Sequence, residues 1–142
     1  ELALSANKAR IIKKATELRC RLAELKHDDQ DAKDCAALQL MMQQPDKSEE
    51  TILKYGLEKQ KDAQIYYYLG IIEMMRFNPV KAVTWFKTSE SIEHNPPALM
   101  MLANAYYELN RYELAAEVYR NVLAKNPDNK AAVNGLKRLP KN

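Results

Sequence analysis

By residue type, the side chains in this chain best suited to chemistry are Cys20, His27 and Cys35, because thiolate and imidazole are the usual ligands of zinc. Their spacing is loose and no fourth ligand stands near, so no metal is expected. The acidic run HDDQDAKD at 27–34 could offer oxygens to calcium, but it lacks the glycine and closing glutamate of a calcium-binding loop. Carboxylates placed there suit a helix start, where they cap the free amides and oppose the dipole. His94 stands alone near a helix end, a dipole partner rather than a base. The stretch IYYYLG at 65–70 sets Tyr66, Tyr67 and Tyr68 side by side. Three rings in a row could be a stacking platform, a phenol acting with its neighbours, or core. No glycine-rich phosphate loop, nucleophile elbow, H-E-x-x-H or C-x-x-C pattern occurs. No enzyme activity and no cofactor are therefore expected, and the weight falls on what the tyrosines pack against.

The 142 residues suit a single domain, with 29% charged and 46% hydrophobic residues in an ordinary balance. A net charge of +3 is too small to argue for nucleic acid, and no apolar run approaches the roughly 20 residues of a membrane span. The C-terminal end is locally basic: Arg120, Lys125, Lys130, Lys137, Arg138 and Lys141 face Asp128 alone. Such an end is read as a solvated tail, with cations offsetting the negative pole of a helix. Two cysteines are most often free thiols in a helical protein, and sequence alone does not pair them. The chain begins at Glu1 rather than Met, so a targeting segment could lie outside it; the cytoplasm is the favoured location.

Period comes next. Gly56, Gly70 and Gly135 all sit in helix-forming sequence, where a glycine costs about 1 kcal/mol against alanine and is kept when another helix comes close. Turns are written with Asn and Pro instead, in FNPVKAV at 77–83, EHNPPAL at 93–99 and KNPDNKA at 125–131. Asn caps a helix and Pro suits its first turn, so each marks a helix start or the joint before it. No hairpin turn of the Asn-Gly kind and no sustained alternation point to strands. Self-similarity appears at a step of 33–34: Met41 and Met42 recur as Met74 and Met75, and Pro45 recurs as Pro79, implying one inserted residue.

Over 96–129, PPALMMLANAYYELNRYELAAEVYRNVLAKNPDN, the residues resemble the tetratricopeptide repeat. Leu99 stands in its Trp slot, Leu102 and Ala103 in the Leu-Gly slot, Tyr106 in the Tyr slot; Ala115, Tyr119 and Pro127 complete it. The unit at 63–95 offers Tyr66, Leu69, Gly70, Ala82 and Phe86. It departs at Glu73, where a tyrosine belongs, and at His94, where a proline belongs. A degenerate unit at about 30–62 keeps Ala37, Leu40, Leu53 and Gly56. The resemblance implies an all-α fold, a right-handed solenoid of antiparallel helical hairpins. An N-terminal helix over 1–29 precedes the repeats of 30–142, and a capping helix over 130–139 closes them. Small residues at Gly70, Ala82, Ala103 and Ala115 let paired helices approach, with Phe86 and Tyr119 filling the space between.

In such hairpins the first helix turns one side to the core and the next to a concave groove. Tyr66 is then core, Tyr67 swings about 100° toward the groove, and Tyr68 lies at the border or meets the neighbouring hairpin. The groove is expected to carry Gln64, Tyr67, Ile71, Met74, Met100, Asn104, Tyr107, Glu108, Asn134 and Arg138. Methionine and tyrosine make an adaptable surface that accepts peptides. The cluster with which many relatives bind C-terminal carboxylates is absent, its slots being Tyr67, Ile71, Met101, Ala131 and Gly135. In the N-terminal segment Ile11, Ala15, Leu18, Leu22 and Leu25 are spaced 4-3-4-3, an amphipathic helix that packs on the first hairpin or pairs two copies. The resemblance implies a protein–protein interaction module, a scaffold, adaptor or secretion-type chaperone, with a protein or peptide partner. Nucleic acid and a membrane span are not expected. The alternative is a structural subunit, a homo-oligomer joined through the N-terminal helix or the groove.

Overall fold

Left-handed residues punctuate the chain at steps of 33–34 residues. The structure, a computed structural model, describes residues 2–141, with side chains from residue 5. Gln43, Phe77 and Asn110 have φ of 59°, 58° and 58°, and each ends a helix in the same way. The left-handed residue donates its N–H three residues back, to Leu40, Met74 and Tyr107, and the next residue donates five back, to Gln39, Glu73 and Tyr106. This pairing satisfies the last carbonyls of the helix and turns the chain back on itself. The following helices open with Pro45 and Pro79 in their first turn. At the other ends Asp28, Asp62, Asn95 and Asn129 each accept a hydrogen bond from an amide of the helix they begin.

Those punctuations delimit α1 (Leu2–Lys26), α2 (Asp29–Met41), α3 (Pro45–Lys54), α4 (Ala63–Met75), α5 (Pro79–Ile92), α6 (Pro96–Glu108), α7 (Tyr112–Lys125) and α8 (Lys130–Arg138). A short 3-10 turn, Leu57–Lys59, lies between α3 and α4. Each helix packs on its successor, and among the described residues there is no strand. The chain is an all-α helical solenoid. The first helices of successive hairpins, α2, α4, α6 and α8, also touch one another and form one continuous face.

Burial follows from the close approach of paired helices. Phe86 is fully buried, and a Cβ on Gly70 would lie 2.4 Å from its ring. Tyr119 is fully buried too, with the backbone of Gly135 in α8 equally tight against its ring. Both glycines are there because a neighbouring ring occupies the space of a side chain. Ala82, Ala103 and Ala115 are wholly buried around them.

The first hairpin is set one residue away from the sequence expectation. Caps Asp28 and Asp62, left-handed Gln43 and Phe77, and Pro45 and Pro79 are all thirty-four apart, with no insertion. The counterparts of Gly70, Ala82 and Phe86 are then Ala36, Ser48 and Ile52, all fully buried. Ala37 is only half-buried and Leu53 is 56% exposed, because a one-residue slip rotates a helical position by about 100°. Ser48 replaces the small apolar residue and donates its hydroxyl to the Ala36 carbonyl at 2.9 Å. Gly56 lies outside the helices, left-handed at φ 63° after α3. The Asn-Pro pair at 126–127 lies in the joint before α8, which begins after Asn129, as one of the two expected places for it.

Cys20 and Cys35 are bonded to each other, with Cα atoms 4.8 Å apart, so neither is a free thiol or a metal ligand. The bond ties α1 to α2. Around it Thr16 and Ala23 are buried, and the Arg19 guanidinium reaches Asp31 at 2.8 Å and Asp34 at 3.6 Å. Glu73, in the slot where an aromatic belongs, is buried and lies 3.5 Å from Arg76. Arg76 also pairs with Asp46 and Glu49 of α3, so the anomaly belongs to an ion-pair network between hairpins. Those carboxylates raise the Arg76 pKa above its ordinary value.

Phe77 is 93% exposed and holds a conformation that costs an L-residue with a Cβ about 1 kcal/mol or more. Its counterpart Asn110 is of a type that tolerates this geometry. Phe77→Asn is expected to stabilise the chain by about 0.5–1 kcal/mol. Urea unfolding should show a higher midpoint with an unchanged slope; a lower midpoint contradicts the strain argument.

Candidate partner-binding groove

The face built by α4, α6 and α8 gathers most of the residues expected to line a groove. On α4, Gln64, Tyr67, Ile71 and Met74 follow one another at helical spacing. Tyr67 is half-buried, its ring 6.1 Å from Phe86 and 5.9 Å from Tyr68. Tyr67, Ile71 and Met74 pack on the same buried cluster that Met100 and Tyr107 cover from α6. Burial raises the Tyr67 and Tyr68 phenols above their ordinary pKa, so both remain neutral hydrogen-bond donors.

At the far end a hollow of about 180 Å³ opens between α6, α7 and α8. Met100, Asn104, Ala131, Asn134 and Arg138 line it, with the buried Tyr119 and Gly135 at its wall. Asn104 and Arg138 are thirty-four residues apart and meet through a buried hydroxyl. The Tyr119 hydroxyl donates to Asn104 Oδ1 at 2.8 Å, and Arg138 Nη2 donates to Tyr119 Oη at 3.2 Å and to Asn104 Oδ1 at 3.4 Å. The Arg138 guanidinium lies 4.0 Å above the Tyr107 ring, a cation–π contact, and Tyr112 meets that ring edge-on at 5.6 Å. The acceptor oxygen of Asn104 is therefore used within the fold. Its amide has only a weak contact with the Met101 sulfur at 3.8 Å. The exposed surface is rich in donors: the Asn104 amide, the Asn134 amide and the remaining N–H groups of Arg138.

Gln64 and Glu108 stand apart from this hollow. Gln64 is exposed in the first turn of α4, beside the Tyr68 hydroxyl, and Glu108 is exposed as the last residue of α6. Tyr66 is not full core: it is half-buried, stacks on Trp85 at 5.7 Å and donates its hydroxyl to the Glu58 carbonyl at 3.3 Å. Ile65 takes the wholly buried place beside it. Tyr68 packs toward the preceding hairpin, on the cluster containing Ala32 and Ala36. Sequence reasoning counted Tyr119 as packing alone and missed its role in joining Asn104 to Arg138. The signal was available, since a phenylalanine would fill the slot and only a tyrosine adds an oxygen.

A wider hollow of about 670 Å³ lies between the start of α7 and residues Leu139, Pro140 and Lys141. It gathers none of the aligned groove residues, so the smaller hollow is the better candidate. Among the described residues no group of His, Cys, Asp and Glu could hold a metal ion, and no helix is long and apolar enough to cross a membrane.

Residues 96–129, which form α6, α7 and the joint to α8, match the family model of the tetratricopeptide repeat. No curated protein matches the sequence significantly. Six of the eight helices among the described residues are paired by one recurring turn, and all eight pack in succession, so the same architecture runs beyond the matched residues. Residues 96–129 are thus similar to a tetratricopeptide repeat, and the solenoid of helical hairpins around them is of the same type, an architecture that supports a general protein–protein interaction module.

Proposed function

We propose that the chain holds an extended or helical segment of another protein along the face of α4, α6 and α8. The reading is carried by the Asn104, Tyr119 and Arg138 cluster, in which a buried hydroxyl fixes two side chains that keep further N–H groups to donate. A fixed array of donors beside methionine and tyrosine fits a segment that offers carbonyl or carboxylate oxygens at the hollow. Its apolar side chains would lie on Tyr67, Ile71, Met74 and Met100. Fixing Arg138 on Tyr107 before binding lowers the entropy lost on association. The module acts as an adaptor, scaffold or chaperone for that segment. Disulfides persist in oxidising compartments, so the Cys20 to Cys35 bond favours work in such a compartment over the cytoplasm favoured from the sequence.

The test is affinity selection of a random peptide library on the intact chain, followed by binding of the selected peptides to variants. Tyr67→Ala, Asn104→Ala and Arg138→Ala are each expected to weaken binding about tenfold or more, with helicity by circular dichroism unchanged. If all three variants bind as the parent does, the groove is not the binding surface.

A further inference from the structure

α1 carries two apolar stripes, and the fold uses only one of them. Ile12, Thr16, Cys20 and Ala23 face the body of the protein, with Thr16 and Ala23 buried and Cys20 bonded to α2. The second stripe points outward: Ile11, Leu18 and Leu25 are 62%, 58% and 70% exposed. Seven residues separate each from the next, so they stack along one line of the helix within about 20°. Ala15 and Leu22 fill the gaps between them, half-buried. This is the 4-3-4-3 spacing expected to pack on the first hairpin or to pair two copies, and Ile11, Leu18 and Leu25 of it face away from the hairpin. So narrow a row is the seam of a helix pair rather than the broad apolar face of a core helix.

The flanks decide what can cover it. Lys14 and Arg21 border the row on one side, and Lys8 and Lys26 on the other, all exposed. Among the described residues none of the four is in an ion pair, whereas Arg19 is held by Asp31 and Asp34. A second copy would set Arg21 against Lys26 in a parallel pair, or lysine and arginine against themselves in an antiparallel one. Like charges at these positions oppose pairing. A membrane surface suits the row poorly, since it is narrow and α1 has no aromatic residue to sit at the interface. A helix with its own apolar seam, flanked by Asp and Glu, matches both the row and its borders.

We infer that the outer face of α1 is a docking strip for an acidic amphipathic helix of another protein. The strip shares no residue with the α4, α6 and α8 groove, so each reading stands or falls by itself. The probe is a labelled synthetic peptide of four heptads with leucine at the seam and glutamate on both flanks, kept below the concentration at which it self-associates. Its counterpart carries lysine at the flanks. The acidic peptide should bind the intact chain, more weakly as salt is raised, and the basic one should not. Leu18→Ser with Leu25→Ser should lower affinity about tenfold or more, with melting and circular dichroism unchanged because both leucines are exposed. Lys14→Glu with Arg21→Glu reverses one flank and leaves Lys8 and Lys26 basic, so it should weaken binding of the acidic peptide about tenfold or more. Tyr67→Ala and Asn104→Ala should leave it untouched. The inference is overturned if neither peptide binds or both bind alike. It is equally overturned by sedimentation showing a dimer that Leu18→Ser abolishes, or by Leu18-dependent binding to anionic lipid vesicles without binding of the acidic peptide.

Discussion

Phe86→Ala is expected to lower stability by about 3–5 kcal/mol, a large part of the total for a domain of this size. Phe86 is fully buried and reaches across to the Gly70 backbone, so truncation leaves a cavity between α4 and α5 that rigid helices cannot close. Gly70→Ala attacks the same contact from the other side. Its Cβ would fall 2.4 Å from the ring, and pushing the ring aside costs about 1–3 kcal/mol. Because the two changes share one space, Gly70→Ala combined with Phe86→Leu should be more stable than the sum of the single losses predicts. Urea unfolding of the four proteins measures this coupling. Strict additivity would mean that ring and glycine do not compete for volume.

Reduction of the Cys20 to Cys35 bond is expected to cost about 3 kcal/mol, the chain-entropy figure for a loop of fifteen residues. The loss should be local. Contacts in a solenoid run between neighbours only, so opening α1 removes support from α2 while α5 to α8 keep theirs. Hydrogen exchange with and without reductant should show faster exchange through α1 and α2 and little change in α7. The melting temperature should fall in the same comparison. Two thiols reacting per chain after unfolding without reductant would show that the bond does not form and remove the prediction.

The beat of the fold was legible in the sequence, and the site less so. The unit over 96–129 reads clearly because Leu102, Ala103, Tyr106, Ala115 and Tyr119 each hold the size their place demands. The first unit read one residue out, since the Met-Met pairs match at thirty-three and drew the alignment with them. The caps and left-handed turns, which are backbone features, keep thirty-four. On α1 the more hydrophobic row was expected to pack on the first hairpin or to pair two copies. The fold instead buries the row with Thr16, Cys20 and Ala23, whose small side chains let α1 approach closely enough for the disulfide. Hydrophobicity ranks candidate faces, whereas fit to a neighbour chooses among them.

By itself the sequence determined the helical period, the places where helices start and turn, and the small and aromatic residues that pair across each hairpin. These are properties of neighbouring residues, written within a few turns of chain. Only the tertiary structure decided the register of the first hairpin, the joining of Cys20 to Cys35, the face that α1 leaves bare, and the meeting of Asn104 with Arg138 over Tyr119. Each of these depends on how far one helix is rotated and shifted against another. Packed volume and the few available hydrogen-bond partners set that relation, and no periodicity along the chain encodes it.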